Sequence, residues 1–273
     1  MLQISPGQAR KILKTRPFYT NLGAPSPWSA YLMHFEKNAG PDATWGPSRQ
    51  SLSTGNCLPL NEEQKKHLLR SLAIFQLGET GEGRVVREIT RSRLRPVDAA
   101  YRQSLALFVQ EEGKHAQMLG SMIRSMGGSA LAQNVTHGLF FLARRLMGLR
   151  LKIMVLLGAE IIGCECYGML GRFLKDHSVG DGLLRIQKDE RAHLGFHCHF
   201  FHLLGRNPMG RWLYLALYFP VSMAACLAVL LDQRKTFRSL GVSTTTMIFS
   251  FGRRIAAGAR LILKGCPSPE AVL

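Results

Sequence analysis

Four long segments of this chain repeat apolar residues every three to four positions, and this pattern constrains the fold more than any other feature of the sequence. The segments cover residues 61–92, 96–126, 138–176 and 181–205. Pro96 opens the second segment and Gly127-Gly128 closes it, as expected at helix ends. Four amphipathic helices joined by short links predict an all-α fold built as an antiparallel four-helix bundle.

The rest of the chain flanks this bundle. Residues 1–57 are rich in Pro, Gly, Ser and Asn and show no period, which predicts an irregular N-terminal extension. We therefore divide the chain into an extension over 1–57, the bundle over 58–206, and C-terminal helices over 207–273, near 209–232 and 246–264. Trp212–Leu231 holds twenty residues without a charge, enough to cross a bilayer. Pro220 favours a buried or surface-lying helix, with a true membrane span as the alternative.

The charge of the chain predicts an anionic partner. Lys and Arg number 35 against 18 Asp and Glu, a net charge of +17, which suits an acidic membrane surface, an acidic protein or nucleic acid. Nucleic acid is the less favoured partner, because the basic residues are not interleaved with aromatic ones. The six cysteines form no disulfide framework and no secretory signal is evident. We therefore expect a cytoplasmic protein, and association with a membrane is the alternative to a freely diffusing one.

A Glu-x-x-His motif occurs twice, at Glu112–His115 and at Glu190–His193. Residues three apart lie on one face of a helix, so each pair can point at one spot. Both motifs lie among apolar residues at helical spacing, where an uncompensated carboxylate would cost several kcal/mol. A bound metal removes that cost, so we predict a metal site.

A di-metal site in a bundle takes one further Glu from each of the other two helices. Glu79 is the favoured candidate in the first helix, with Glu82 as its alternative. Glu160 is favoured in the third helix, with Glu165 as the competitor. The predicted set of ligands is Glu79, Glu112, His115, Glu160, Glu190 and His193. Four carboxylates and two imidazoles suit two iron ions, with manganese or a mixed Fe/Mn pair as alternatives.

The order Glu, Glu-x-x-His, Glu, Glu-x-x-His resembles the ferritin-like di-iron carboxylate oxygenases over residues 61–205. KDERAHLGF at 188–196 is similar to the matching helix of aldehyde-deformylating oxygenases, and LGETGEGRVV at 77–86 to the first metal helix of demethoxyubiquinone hydroxylases. The resemblance implies that Asp189 accepts a hydrogen bond from the ring of His115 and orients it. His197 would be either an additional ligand, as in di-iron N-oxygenases, or a hydrogen-bonded core histidine.

The resemblance also implies a function. The chain would be an oxygen-activating di-iron oxidase or monooxygenase, with dioxygen as co-substrate. Trp212–Leu231 and the basic segment Phe140–Lys152 favour a small organic substrate of apolar or lipid-like character and a peripheral membrane contact. No flavin or nicotinamide motif is present, so an external electron donor such as an acidic ferredoxin or a reductase is expected. The alternatives are a non-catalytic iron-handling protein and a di-iron hydroxylase of a modified RNA base.

Overall fold

Eight helices and one short 3-10 turn make up the regular structure of the residues that the computed structural model describes, namely 26–40, 60–80, 83–131, 138, 147–175 and 177–272. The helices are α1 Ser29–Asn38, α2 Glu62–Gly78, α3 Gly83–Thr90, α4 Ala99–Ser125, α5 Leu149–Phe173, α6 Ser178–Leu204, α7 Pro208–Ser239 and α8 Thr244–Lys264. The turn covers Pro269–Ala271. No strand occurs in these ranges, and the prediction of an all-α fold is confirmed.

Side-chain caps explain where several helices begin. Asn61 accepts a hydrogen bond from the backbone N–H of Gln64, and the Gln64 side chain accepts one from the backbone N–H of Asn61. Asp98, Asn207 and Ser243 accept equivalent bonds at the starts of α4, α7 and α8. These oxygens satisfy N–H groups that have no partner in the first turn, so local chemistry sets these boundaries.

The first predicted segment, 61–92, is not one helix. Helix α2 ends at Gly78, and α3 starts again at Gly83. Glu79 closes α2, and its backbone N–H donates to the Phe75 carbonyl at 3.0 Å. Glycine disfavours the helix interior, so three glycines at 78, 81 and 83 account for the interruption. The break leaves Glu79 at a helix end.

Helix α1 corrects the prediction of an irregular extension over residues 1–57. Trp28, Tyr31 and Phe35 are buried, and the Trp28 ring contacts those of Tyr101 and Phe196 at 4.8 and 5.2 Å between centroids. A helix of ten residues is marginal by itself, so packing against α4 and α6 stabilises it. The residues around it, 1–25 and 41–59, lie outside the described ranges.

Helix α5 is the central helix of the structure. It packs against α6, α7 and α8, while α2 packs against α4 and against the end of α7. Among the described helices, two, α5 and α7, are long and apolar enough to cross a membrane, but 89% of the most apolar stretch of α5 is buried by protein, against 28% for α7. Helix α5 is thus a core helix.

The antiparallel ferritin-like order of α2, α4, α5 and α6 stays a prediction, as do the domain boundaries at 58 and 207. Most of the basic segment 140–152 lies outside the described residues.

Candidate metal centre

Helices α4 and α6 bring the two Glu-x-x-His motifs face to face. Glu112, His115, Glu190 and His193 are all buried, and one donor atom from each lies within 4.8 Å of those of the others. His193 Nδ1 is 2.9 Å from Glu112 Oε1, and His115 Nδ1 is 3.1 Å from Glu190 Oε1. Each histidine therefore approaches the carboxylate of the opposite helix, and the four residues form a candidate metal-binding group.

Three atoms of this group have no hydrogen-bond partner among the described residues. They are Glu112 Oε1, His115 Nδ1 and Glu190 Oε1. A buried polar atom without a partner costs about 1–3 kcal/mol, and more when its group is charged. With no metal bound, only protons on the two histidines could offset the charge of the carboxylates that converge here. A metal ion among the three atoms would satisfy all of them, so the donor set fits a bound metal.

The outward nitrogen of each histidine is held by a carboxylate. His115 Nε2 lies 3.3 Å from Asp189 Oδ2, and His193 Nε2 lies 2.9 Å from Glu111 Oε2. A proton on Nε2 donated to a carboxylate leaves the Nδ1 lone pair directed into the cluster, the tautomer that a metal needs. The Asp189–His115 contact, expected from the resemblance, is present in the structure.

Glu111 is the functional residue that the sequence analysis missed. It is buried, accepts from His193, and is itself held by Asn38, whose Nδ2 donates to Glu111 Oε1 at 2.9 Å. The signal was in the sequence: an acid precedes the Glu of both motifs, as Glu111-Glu112 and as Asp189-Glu190. Burial alone would raise the pKa of Glu111, but its hydrogen bond to His193 is part of what holds that pKa below its ordinary value.

Glu160 of α5 and Glu79 at the end of α2 adjoin the same cluster. Glu160 Oε2 lies 3.9 Å from His193 Nδ1, and the pKa of Glu160 is raised well above its ordinary value by burial and then by the charge of Glu190. Burial and the neighbouring Glu112 raise the pKa of Glu79 in the same way. The structure thus places Glu79 and Glu160 beside the four converging residues, and their role as ligands stays a prediction.

Tyr167 lies beside Glu79, next to the cluster. Its hydroxyl donates a hydrogen bond to Glu79 Oε1, and its ring lies 5.0 Å from that of Phe75. Burial, followed by the Glu79 charge, raises the pKa of Tyr167 well above its ordinary value, so the phenol keeps its proton. Tyr167 therefore orients the Glu79 carboxylate at the C-terminal end of α2.

Protons balance the charges of the metal-free cluster. Burial alone would lower the pKa of His115, but the neighbouring carboxylates of Asp189 and Glu190 raise it to about 10. The pKa of His193 is also raised despite burial, first by the Glu190 charge and then by Glu112. Burial opposes ionisation of Glu190, yet hydrogen bonding to Glu160 and the charge of His193 hold its pKa well below the ordinary value. A metal cation would replace these protons as the balancing charge.

Two of the three residues that were considered as alternative ligands, Glu165 and His197, lie outside the group of converging donor atoms. Glu165 pairs with Arg254, with its Oε1 at 2.6 Å from the arginine Nε, and accepts from the Ser250 hydroxyl. Glu82 lies outside the described residues. His197 is fully buried beside Phe108, with ring centroids 5.0 Å apart.

The nitrogens of His197 have no hydrogen-bond partner within the described ranges, so the expectation of a hydrogen-bonded core histidine is wrong there. Burial, and then His193, lower its pKa to about 3, and the ring stays neutral. The group of converging donor atoms does not include it.

Comparison of the chain with models of protein families, with curated proteins and with solved structures found no match. Functional inference therefore depends on the chemistry of the cluster itself.

Proposed function

We propose that this protein is an oxygen-activating di-iron oxidase or monooxygenase that acts on a small, apolar organic substrate. The observation that carries the proposal is the convergence of Glu112 Oε1, His115 Nδ1 and Glu190 Oε1, all buried and without a hydrogen-bond partner in the part of the chain that the structure describes. With Glu79 and Glu160 alongside, the donor set holds four carboxylates and two imidazoles. This composition favours iron, or manganese in its place, over metals that prefer thiolate ligands.

The protein's own residues would supply geometry and exclude water. Glu111 and Asp189 fix the histidine rings, and Tyr167 fixes Glu79. Phe108 covers His193 edge-on, with 4.7 Å between ring centroids, and Phe35 lies 5.8 Å away on another side. Such aromatic walls keep bulk water from the cluster, which strengthens its electrostatic interactions and limits side reactions.

Two bound iron ions would supply the reduction of dioxygen, which no side chain of the cluster can perform. Inserting one oxygen atom into a substrate consumes one dioxygen, two electrons and two protons, and releases one water. The electrons must come from outside the chain, from an acidic ferredoxin or a reductase. Such an acidic partner would complement a net charge of +17.

Anaerobic titration of the metal-free protein with ferrous iron, followed by a pulse of oxygen, tests the proposal. We expect about two irons per chain, and a coupled diferric centre in the Mössbauer and optical spectra after oxygen. Oxidation with release of iron into a mineral core would support an iron-handling protein instead. Failure to bind iron or manganese by a folded protein would overturn the metal site altogether.

Glu160 and Glu165 provide a matched pair of variants on one helix. Both are buried glutamates of α5, but Glu160 adjoins His193 while Glu165 pairs with Arg254. We expect Glu160→Gln to weaken binding of at least one metal ion, and Glu165→Gln to lower thermal stability while keeping metal stoichiometry. Equal metal binding by both variants would remove Glu160 from the proposed ligand set.

A further inference from the structure

Helix α7 exposes a continuous apolar stripe. Seven large apolar residues between Trp212 and Leu231 are exposed, from 43% for Phe219 to 65% for Leu213 and Leu231. The full set is Trp212, Leu213, Leu217, Phe219, Met223, Leu227 and Leu231. At about 100° per residue they occupy an arc of roughly 160°, and twenty residues extend over about 30 Å. An exposed apolar surface of this length marks an interaction site.

The opposite face of α7 is fixed to the protein. Tyr218 donates to the Ile255 carbonyl of α8 at 2.8 Å, and Thr236 donates to the His67 carbonyl of α2 at 3.1 Å. Ser222 and Gln233 are buried on this inner side. A helix that crosses a bilayer alone is surrounded by lipid, whereas α7 has one face in protein and one apolar face outside. This geometry suits a helix that lies in the plane of a membrane surface.

Helix α8 extends the same surface. It runs antiparallel to α7, because Tyr218 contacts Ile255 and Arg211 donates to the Leu263 carbonyl. This register sets the exposed Ile248 and Phe249 level with the Met223–Leu227 part of the stripe.

The charge of these two helices is almost entirely positive. From Gly205 to Ser268 the chain has nine Lys and Arg but a single acidic residue, Asp232. Arg234, Lys235 and Arg238 are exposed where the apolar stripe ends, and Arg253 and Arg260 are exposed along α8. Cationic side chains around an apolar face complement a bilayer with anionic headgroups, each contributing about 1 kcal/mol near the surface.

We propose that the α7–α8 face, defined by the apolar stripe and these basic residues, docks onto the surface of an anionic bilayer. Helix α7 lies in the headgroup region, its stripe faces the acyl chains, and the helices that hold the Glu/His cluster stay on the water side. A protein held there can take an apolar substrate from the membrane without its passing through water. The docking itself does not depend on metal binding, so it can be tested in metal-free protein.

Vesicle sedimentation of the full chain tests this inference. We expect strong binding to vesicles of phosphatidylcholine mixed with phosphatidylglycerol, weaker binding to phosphatidylcholine alone, and a several-fold loss in high salt. The double variant L217E/L227E should partition at least about a hundredfold more weakly, since two exposed leucines no longer bury apolar area. M33E is the matched control, because Met33 is an exposed apolar residue on α1, and it should bind as the wild type does.

Trp212 gives an independent reading of the docked face. Lipids brominated on the acyl chains should quench its fluorescence in a W45F background, and the quenching should disappear in W45F/W212F, because the remaining tryptophan, Trp28, is buried in the protein. Unchanged vesicle binding by a folded L217E/L227E variant would overturn the proposal. Resistance to alkaline carbonate extraction would also overturn it in favour of a membrane span. Absence of vesicle binding together with a dimer that L217E/L227E dissociates would assign the face to a second copy of the chain.

Discussion

Removing Glu111 should weaken metal binding more than removing Asp189, although both carboxylates hold the outer nitrogen of a histidine. Glu111 is buried and lies 2.9 Å from His193 Nε2, whereas Asp189 is partly exposed and lies 3.3 Å from His115 Nε2. A buried hydrogen bond to a charged group contributes about 1.5–3 kcal/mol, and a longer one near solvent contributes less than about 1 kcal/mol.

The magnitudes follow from these contacts. We expect E111A to lower metal affinity by about 10- to 100-fold, the range found when a partner of a ligating histidine is removed. D189A should lower it by about fivefold or less. E111Q should restore part of the loss, because its amide oxygen can still accept from the imidazole without the charge that strengthens the bond.

Titration with Co²⁺ against a competing chelator measures these affinities through the visible bands of the bound ion. Thermal unfolding of each metal-free variant is the control, because a loss of metal affinity that comes from a folding defect would be accompanied by a lower melting temperature. The reasoning is refuted if folded E111A binds both ions as tightly as the wild type, or if D189A is the weaker binder of the two.

Four further outcomes are expected. Because the pKa of His115 is raised to about 10 in the metal-free fold, metal binding should release protons, which calorimetry in buffers of different ionisation enthalpy measures. For the same reason the metal affinity should rise with pH, which titrations at several pH values measure. In the metal-free protein the stabilising charge of His115 should be full below pH 6.5 and be lost as pH rises towards 10, which pH-dependent unfolding measures. H197F should keep full metal stoichiometry with equal or higher thermal stability, since it removes two unpartnered nitrogens; a lost metal ion would make His197 a ligand. Gly180→Ala should destabilise by about 2 kcal/mol or more, because its Cβ would meet the Leu174 backbone carbonyl, whereas exposed Gly252→Ala should raise the melting temperature.

Much of the site could be predicted from the sequence because helical spacing is local. Glu112 with His115, and Glu190 with His193, must share a helix face wherever their helices pack. The apolar residues around them made that face a buried one. An acidic residue precedes the Glu of both Glu-x-x-His motifs, as Glu111 and as Asp189. Comparison of the two motifs could therefore also have predicted Glu111.

Helix α1 shows one limit of such reasoning. Ten residues among Pro- and Gly-rich neighbours have too few apolar positions to reveal a period. Their burial depends on contacts with Tyr101 and Phe196, which lie about 70 and 165 residues further along the chain.

The sequence by itself determined the all-α class and the two Glu-x-x-His pairs, because periodicity and i, i+3 spacing act within one helix. Only the tertiary structure decided which of Glu160 and Glu165 adjoins the cluster. Helix α5 is buried on nearly every side, so no amphipathic pattern marks which face meets the cluster. The packing of α6 and α8 against α5 directs Glu160 to His193 and Glu165 to Arg254, and such a choice depends on partners distant in the chain.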